Sequence, residues 1–219
     1  MTEDRAAEMR AWAEANGFQY EADVSEGLLT LPFYLFTLGQ DGPVVTGENL
    51  LTGEWQSMPV DVFDVNVPVA DGVQILGITK YWTENEVITT AMAGTGAELP
   101  YVYVEKKDGA TRFADDLDRV DHLHHDHGEV ECGAKDFDHH FEVKSADPDF
   151  ARELIDHAMM ESLVARGTGF VYEVSGWQFI VHTPKASDEL PALLDATKAF
   201  WDTIPSEVVE KYAVAEGDG

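Results

Sequence analysis

Basic residues are scarce in this chain. It has 14 lysines and arginines against 42 aspartates and glutamates, which gives a formal net charge of −28. With so few cations the chain has no basic patch that could neutralise phosphates, and we expect no nucleic-acid partner. The acids are spread along the whole chain, so we expect a solvated, negatively charged surface.

Cysteine and long apolar runs are scarce as well. The single cysteine, Cys132, cannot form a disulfide within the chain. No stretch reaches the roughly 18 apolar residues that a membrane-spanning helix requires. Residues 1–4 carry acids where a signal peptide carries bases. We therefore expect a cytoplasmic protein without membrane insertion.

Catalytic motifs are the third absence. The chain has no Gly-x-Ser-x-Gly elbow, and Cys132 has histidines near it only in sequence. The Gly-Thr-Gly runs at 94–96 and 167–169 lack the lysine of a phosphate-binding loop and are typical of turns. With 42 acids, no Asp/Glu pair stands out as an acid–base couple. The sequence favours a protein that is not an enzyme.

A unit at residues 137–184 is what the rest of the chain is expected to be built around. Residues 137–143 alternate between apolar and polar positions, which predicts a half-buried strand. Asp147 and Pro148 then predict the start of a helix. The Asp carboxylate can accept hydrogen bonds from backbone N–H groups of the first turn, and the N–H that Pro lacks would have no partner within the helix at that position. Apolar residues recurring every three or four positions predict one amphipathic helix over about 148–166.

Glycines are expected to end that helix. Gly167 and Gly169 allow the left-handed backbone that often follows a helix. Two alternating runs, 170–174 and 177–181, flank the pair Ser175-Gly176. A two-residue turn between alternating runs predicts a β-hairpin.

Part of this unit carries a spaced set of residues, namely Phe137, Phe141, Val143, Ser145, Asp147, Ala151, Arg152, Leu154, Met159, Met160, Glu161 and Leu163. The set resembles the signature of an uncharacterised prokaryotic domain family whose members occur alone or attached to membrane segments. The resemblance implies a fold and brings no catalytic residue, cofactor or substrate. Separately, the acidic composition resembles that of cytosolic proteins of extreme halophiles, in which salt screens charge repulsion to about 3 Å at 1 M.

The remaining segments predict an α+β fold with a meandering antiparallel sheet. The sheet packs against an N-terminal helix ending near residue 16, the internal helix over about 148–166 and a C-terminal helix over about 188–204. Short turns separate the strand candidates, which lie at 50–55, 59–69, 73–82, 87–92 and 101–105.

The most apolar window of the chain is residues 28–38, which Pro32 interrupts. This pattern predicts a bent or edge extended segment within the core.

We expect one compact domain over residues 1–219, with two lobes of about 1–117 and 118–219 as the alternative. The last ~10 residues are expected to fray.

Histidines are concentrated in one segment, residues 118–140, which holds six of the eight. Imidazoles, a thiol and carboxylates at close spacing suit zinc or another transition metal. The candidate metal ligands are His122, His124, His125, His127, Cys132, His139 and His140. Their spacing matches no standard metal motif. The alternative is that they are solvated loop histidines that soften repulsion among the acids, with His139 a buried core residue.

Three functions are compatible with this sequence. The first is a non-catalytic interaction or scaffolding domain with a protein partner, which exposed apolar residues around 33–36 would support. The second is a metal-binding protein that uses the segment 122–140. The third is a small-molecule-binding domain with a cavity lined by aromatics such as Trp55, Tyr81, Trp82 or Trp177.

Overall fold

The computed structural model describes residues 3–37, 45–75, 78–107, 127–167, 169–183, 186–187 and 189–213, with the backbone alone between 68 and 85. Over these residues the chain forms eight helices and seven strands, and the predicted α+β class is confirmed. In chain order they are α1 (Glu3–Asn16), β1 (Gln19–Asp23), α2 (Glu26–Leu29), α3 (Tyr34–Thr37), β2 (Thr46–Trp55), β3 (Met58–Ile75), β4 (Ile78–Lys106), β5 (Gly128–Glu129), α4 (Lys135–His140), β6 (Phe141–Ser145), α5 (Pro148–Leu154), α6 (His157–Arg166), β7 (Val171–His182), α7 (Leu190–Thr203) and α8 (Ser206–Tyr212).

The sheet is a meander of antiparallel strands, as predicted. Its order is β1-β2-β3-β4-β6-β5, and β7 also pairs with β4. Strands β3 and β4 form one long hairpin in which Ile75 lies opposite Ile78. The turn predicted between the strand candidates 59–69 and 73–82 is wrong, because residues 71–72 pair with residues 81–82 within the hairpin. Several short predicted strands are therefore parts of two long ones.

Strand β4 is the centre of the sheet. Its first part pairs with β3, its middle and end pair with β7, and residues 103–106 also pair with β6. The register with β7 shifts between Gly94 and Leu99. Gly96 there has a φ of +79°, a backbone conformation that glycine adopts at little cost. The predicted turn at 94–96 is thus an irregularity inside a paired strand.

Strand β7 bends sharply near its middle. Glu173 and His182 are nine positions apart in this strand, yet Glu173 Oε1 lies 3.5 Å from His182 Nε2. A straight strand would separate them by about 30 Å. Gly176, with a φ of +59°, lies between them. The chain therefore changes direction near the predicted turn. The predicted hairpin is wrong, because the two arms of β7, residues 172–176 and 178–182, both pair with β4 and not with each other.

One face of the sheet is covered by helices. Helix α1 buries Met9 and Ala13 there, and α7 buries most of the stripe that its sequence spacing predicts. Leu190, Leu193, Leu194, Thr197 and Phe200 are buried, while Trp201, predicted on the same face, is only partly buried. Helix α8 adds buried Val208 and includes residues 210–212, the first of the last ~10 residues that are expected to fray. Burial of these side chains is the main favourable contribution to folding.

The other face is covered by residues 26–37, which we call the strap. The strap is made of α2 and α3, and its residues 33–36 are buried against the sheet. The prediction of an extended segment at 28–38 is wrong, because Pro32 separates two short helical turns. The prediction that this window is core is confirmed for residues 33–36.

Two boundaries in the central unit differ from prediction. Residues 137–140 belong to α4 and not to a strand, and Phe137 stacks on Phe141 with ring centroids 4.6 Å apart. The predicted single helix over 148–166 is two helices, because Asp156 caps α6 by accepting a hydrogen bond from Met159 N at 2.8 Å. The predicted cap at Asp147 is confirmed by its 3.0 Å bond from Phe150 N.

A buried ion pair anchors α1 to the sheet. The Arg5 guanidinium donates to both carboxylate oxygens of Asp64, at 3.0 and 3.2 Å, and Asp64 is fully buried. Thr89 Oγ1 and Asn49 Nδ2 also donate to Asp64, at 2.8 and 3.1 Å. Arg5 further donates to the carbonyl of Ser187 at 2.9 Å. The network joins the N-terminal helix, three strands and the approach to α7.

Replacing Asp64 with alanine is expected to lower the free energy of unfolding by about 3–5 kcal/mol, because the Arg5 charge would lose its buried counter-charge. Urea unfolding in molar salt, followed by tryptophan fluorescence, measures the change. Glu8 lies exposed on the same helix, and Glu8→Ala is the control, with an expected change within about 0.5 kcal/mol. A loss for Asp64→Ala no larger than that control would contradict this account.

Candidate functional site

An apolar groove lies between α4 and α6. It is an open depression of about 580 Å³, lined by Ala134, Lys135, Asp136, Phe137, His157, Met160, Glu161, Val164 and Ala165. Helix α4 is held in place by Asp138, whose carboxylate accepts from the backbone N–H groups of Cys132 and Gly133 at 2.8 and 3.0 Å. Helix α6 is held by its Asp156 cap and by buried Met159 and Leu163. Both walls are therefore fixed by local contacts.

Val164 gives the groove its exposed apolar surface. Its side chain is 56% exposed, and among the described residues only it and Trp177, at 47%, are large hydrophobic side chains with such exposure. On α6 the buried stripe is formed by Met159, Met160 and Leu163, so Val164 and Ala165 project beside the core and not into it. Val164 and Ala165 are therefore the apolar part of this groove that is open to solvent.

Charged groups surround this groove. Asp136 and Lys135 are exposed on the α4 wall. On the α6 wall His157 Nε2 lies 3.4 Å from Glu161 Oε1, and both side chains are largely exposed. Such an exposed pair contributes little to stability. The rim is thus polar and of mixed charge around an apolar floor.

The predicted metal ligands are placed only in part. His122, His124 and His125 lie outside the described residues. His139 and His140 are exposed at the end of α4, with their rings 4.9 Å apart, so the core position considered for His139 is wrong. His127 contacts the Tyr101 ring at 4.9 Å. Within the described ranges no three His, Cys, Asp or Glu side chains are grouped to hold an ion, and the metal site stays a prediction.

Cys132 lies in an environment that disfavours its thiolate. The residue is half-buried, and this burial together with the nearby Asp138 carboxylate raises the pKa of the Cys132 thiol to about 11, with Arg152 acting in the opposite direction. A thiol needs its thiolate form to act as a nucleophile or metal ligand. The surroundings of Cys132 therefore do not favour either role.

A polar cluster around Glu173 and Glu105 is buried inside the fold. Glu173 is completely buried and accepts a hydrogen bond from Tyr101 Oη at 3.0 Å, and Glu105 accepts one from Tyr103 Oη at 2.7 Å. Burial, with the adjacent carboxylates, raises the pKa of both tyrosines well above the ordinary value. A substrate could not reach Glu173 without movement of the covering strap. The cluster holds structure together in this conformation.

The aromatic residues predicted to line a small-molecule cavity are dispersed. Trp55 lies against Trp12, with ring centroids 6.3 Å apart, and its indole N–H donates to Asp195 at 2.9 Å. Trp177 is half-exposed near the bend of β7. The side chains of Tyr81 and Trp82 lie outside the described residues. Trp55 is therefore used in packing between α1, the sheet and α7.

The sequence interpretation missed the main features of these sites. Val164 follows the buried Leu163 in a helix predicted as core-facing, so its exposure depends on where the helix begins. The partners Arg5 and Asp64 are 59 positions apart, and only tertiary structure pairs them. The sequence does contain one sign that Glu173 is unusual, because it is a single acid within an otherwise apolar strand candidate.

Comparison with known proteins shows what the fold resembles. No protein-family model matches the chain, and no curated protein matches it. The crystal structure of the mycobacterial trehalose monomycolate transport factor A matches with a TM-score of 0.62 and 17% sequence identity, over 93% of this chain and 98% of that chain. At this identity the likeness establishes a shared fold alone. The lack of a family match agrees with an uncharacterised family, while its signature and the halophile resemblance stay predictions.

Burial of Cys132 predicts slow alkylation. With a pKa of about 11, iodoacetamide at pH 8 should label the folded protein about a hundredfold more slowly than a free cysteine, because little thiolate is present. Mass spectrometry of quenched time points measures the rate, which should rise as pH approaches 11. The guanidinium-unfolded chain is the control, and equal rates for folded and unfolded protein at pH 8 would contradict the prediction.

Proposed function

We propose that this chain is a non-catalytic interaction domain that binds a cationic amphipathic helix of a partner protein in the groove between α4 and α6. The observation that carries the proposal is the pair of exposed apolar residues Val164 and Ala165, which border a groove whose floor includes the buried side chains of Met160 and Phe137. Burial of a residue such as Val164 against a partner lowers the free energy of the complex, because apolar surface is removed from water.

A helix is the partner element that best suits the shape of this site. The groove runs between two short helices, and an apolar ridge of a third helix packs between such walls by fitting its side chains into the gaps. The volume of about 580 Å³ accommodates several large apolar side chains of one ridge. Polar groups at the rim would then face the partner's flanking residues.

The charge of the chain supports a cationic partner. A formal net charge of −28 attracts positive segments and repels a second copy of the same chain. Asp136 and Glu161 place a carboxylate on each wall of the groove, while Lys135 and His157 keep the rim mixed. The overall field therefore favours approach of a basic helix, and the apolar floor supplies the contact.

Two further observations are compatible with a binding role. The solved structure that shares the fold is named as a transport factor, and we propose for this chain an accessory role of that general kind, without a reaction of its own. None of the described helices is long and apolar enough to cross a bilayer. The proposal keeps the cytoplasmic location that we predict from the sequence.

Replacing Val164 with glutamate is expected to weaken binding of a cationic amphipathic helix by about tenfold or more, because a charge would enter the apolar contact. The probe is a fluorescein-labelled helical peptide with a leucine ridge and a lysine face, and fluorescence anisotropy measures its affinity. Binding of this peptide should also weaken as salt is raised.

The matched control places the same charge at the other exposed hydrophobic residue, with Trp177→Glu expected to leave the affinity within about twofold. Both variants change the net charge equally, so general electrostatic attraction cannot produce a difference between them. Equal binding by wild type and Val164→Glu would overturn the groove as the site. Equal binding of a peptide with the same ridge and a glutamate face would overturn the cationic partner.

A further inference from the structure

The backbone hydrogen bonds of the strap are local. Leu31 N donates to Leu28 O and Phe36 N to Phe33 O, at 3.4 and 3.1 Å, and Leu28 N donates to Ser25 O, the residue just before the strap, at 3.0 Å. Its two helices have four residues each, too few to be stable without tertiary contacts. Such a segment can detach without breaking the ladder of the sheet.

The chain enters the strap at a fixed point. Val24, just before it, is buried, and its N–H donates to Gly47 O at 3.2 Å. A Cβ atom on Gly47 would lie only 2.7 Å from Val24 Cβ, so the segment after β1 approaches β2 closely there. By contrast, residues 25–27 are exposed. The geometry therefore places a hinge directly after Val24, at Ser25.

One buried carboxylate holds the strap against the sheet. Glu173 accepts hydrogen bonds from the backbone N–H groups of Tyr34 and Leu35, at 2.6 and 3.2 Å. These are the first two N–H groups of α3, which have no acceptor within so short a helix. The same carboxylate accepts from Tyr101 Oη and lies 3.5 Å from His182 Nε2. Glu173 is thus shared between the strap, β4 and the two arms of β7.

Beneath the strap lies an apolar face of the sheet. Phe33 and Phe36 pack edge to face there with ring centroids 5.7 Å apart, and Phe36 lies 6.1 Å from the Phe63 ring. The face is formed with Val65, Val67, Ile88, Met92 and Ile180, all buried. Helices cover the opposite face of the sheet, so removal of the strap would expose this one.

We propose that the strap is a detachable cover, latched by Glu173, that opens about Ser25 as one unit and uncovers the apolar face of the sheet. The rest of the fold stays closed, because the helices on the other face and the Arg5–Asp64 network make no use of this latch. The surface that it uncovers is distinct from the groove between α4 and α6. This inference does not depend on the function proposed for that groove.

Replacing Glu173 with glutamine tests the latch by amide hydrogen exchange and mass spectrometry of the intact chain. The glutamine side chain keeps the shape but offers one acceptor oxygen where the carboxylate offers two. Peptides covering residues 26–37 are expected to exchange about tenfold faster or more, while α7 stays within about twofold of wild type. Binding of an apolar dye should increase in parallel, since the uncovered face is apolar.

Asp64→Asn is the matched control, because Asp64 is an equally buried carboxylate that serves α1 and not the strap. It should accelerate exchange in α1 and leave residues 26–37 unchanged. Should Glu173→Gln fail to fold, Tyr101→Phe removes one hydrogen bond and is expected to accelerate the strap about threefold. Unchanged strap exchange in the Glu173 and Tyr101 variants would overturn the latch. Equal acceleration of every element would overturn independent opening.

Discussion

The buried carboxylate of Glu173 is the contact on which the shape of this sheet depends. Taking a carboxylate fully out of water is costly unless hydrogen-bond donors surround it. Here the donors are the backbone N–H groups of the strap and the Tyr101 hydroxyl on β4, and His182 Nε2 on the far arm of β7 lies 3.5 Å from the carboxylate. They can converge only if β7 bends and the strap lies across the bend. One group therefore couples three parts of the fold.

The two faces of the sheet are covered by different elements. The face covered by α1, α7 and α8 holds the larger core and is anchored by the Arg5–Asp64 pair. The other face is closed by a strap of two short helices. The groove between α4 and α6 lies at the edge of the larger core, which supplies Phe137 and Met160 to its floor, while Val164 and Ala165 face solvent. A rigid scaffold with a separate apolar surface is well suited to an interaction domain.

Sequence patterns predicted the features that depend on residues close together in the chain. The α+β class, the Asp147 cap and the buried stripe of α7 follow from capping and periodicity, and each is confirmed. The errors arise where tertiary contacts override local signals. Residues 137–140 alternate like a strand, yet the Asp138 carboxylate and the stacking of Phe137 on Phe141 favour a helix.

The same contrast applies to turns and sites. Ser175-Gly176 does mark a change of direction, but the long partner strand β4 takes up both arms, so no hairpin forms. Pairings such as Arg5 with Asp64, or Glu173 with the strap, join residues far apart in sequence and leave no periodic signal. The exposure of Val164 depends on the start of α6 at the Asp156 cap, one residue in a run that otherwise reads as continuous helix.

The most direct test of the proposed interaction surface is to follow the backbone amide resonances of isotope-labelled protein while a cationic amphipathic helix is added. The account predicts chemical-shift changes that saturate and are concentrated at residues 134–137 and 157–165, the two walls of the groove. Changes concentrated around Trp177 or the strap, or weak changes spread over the whole acidic surface, would contradict it.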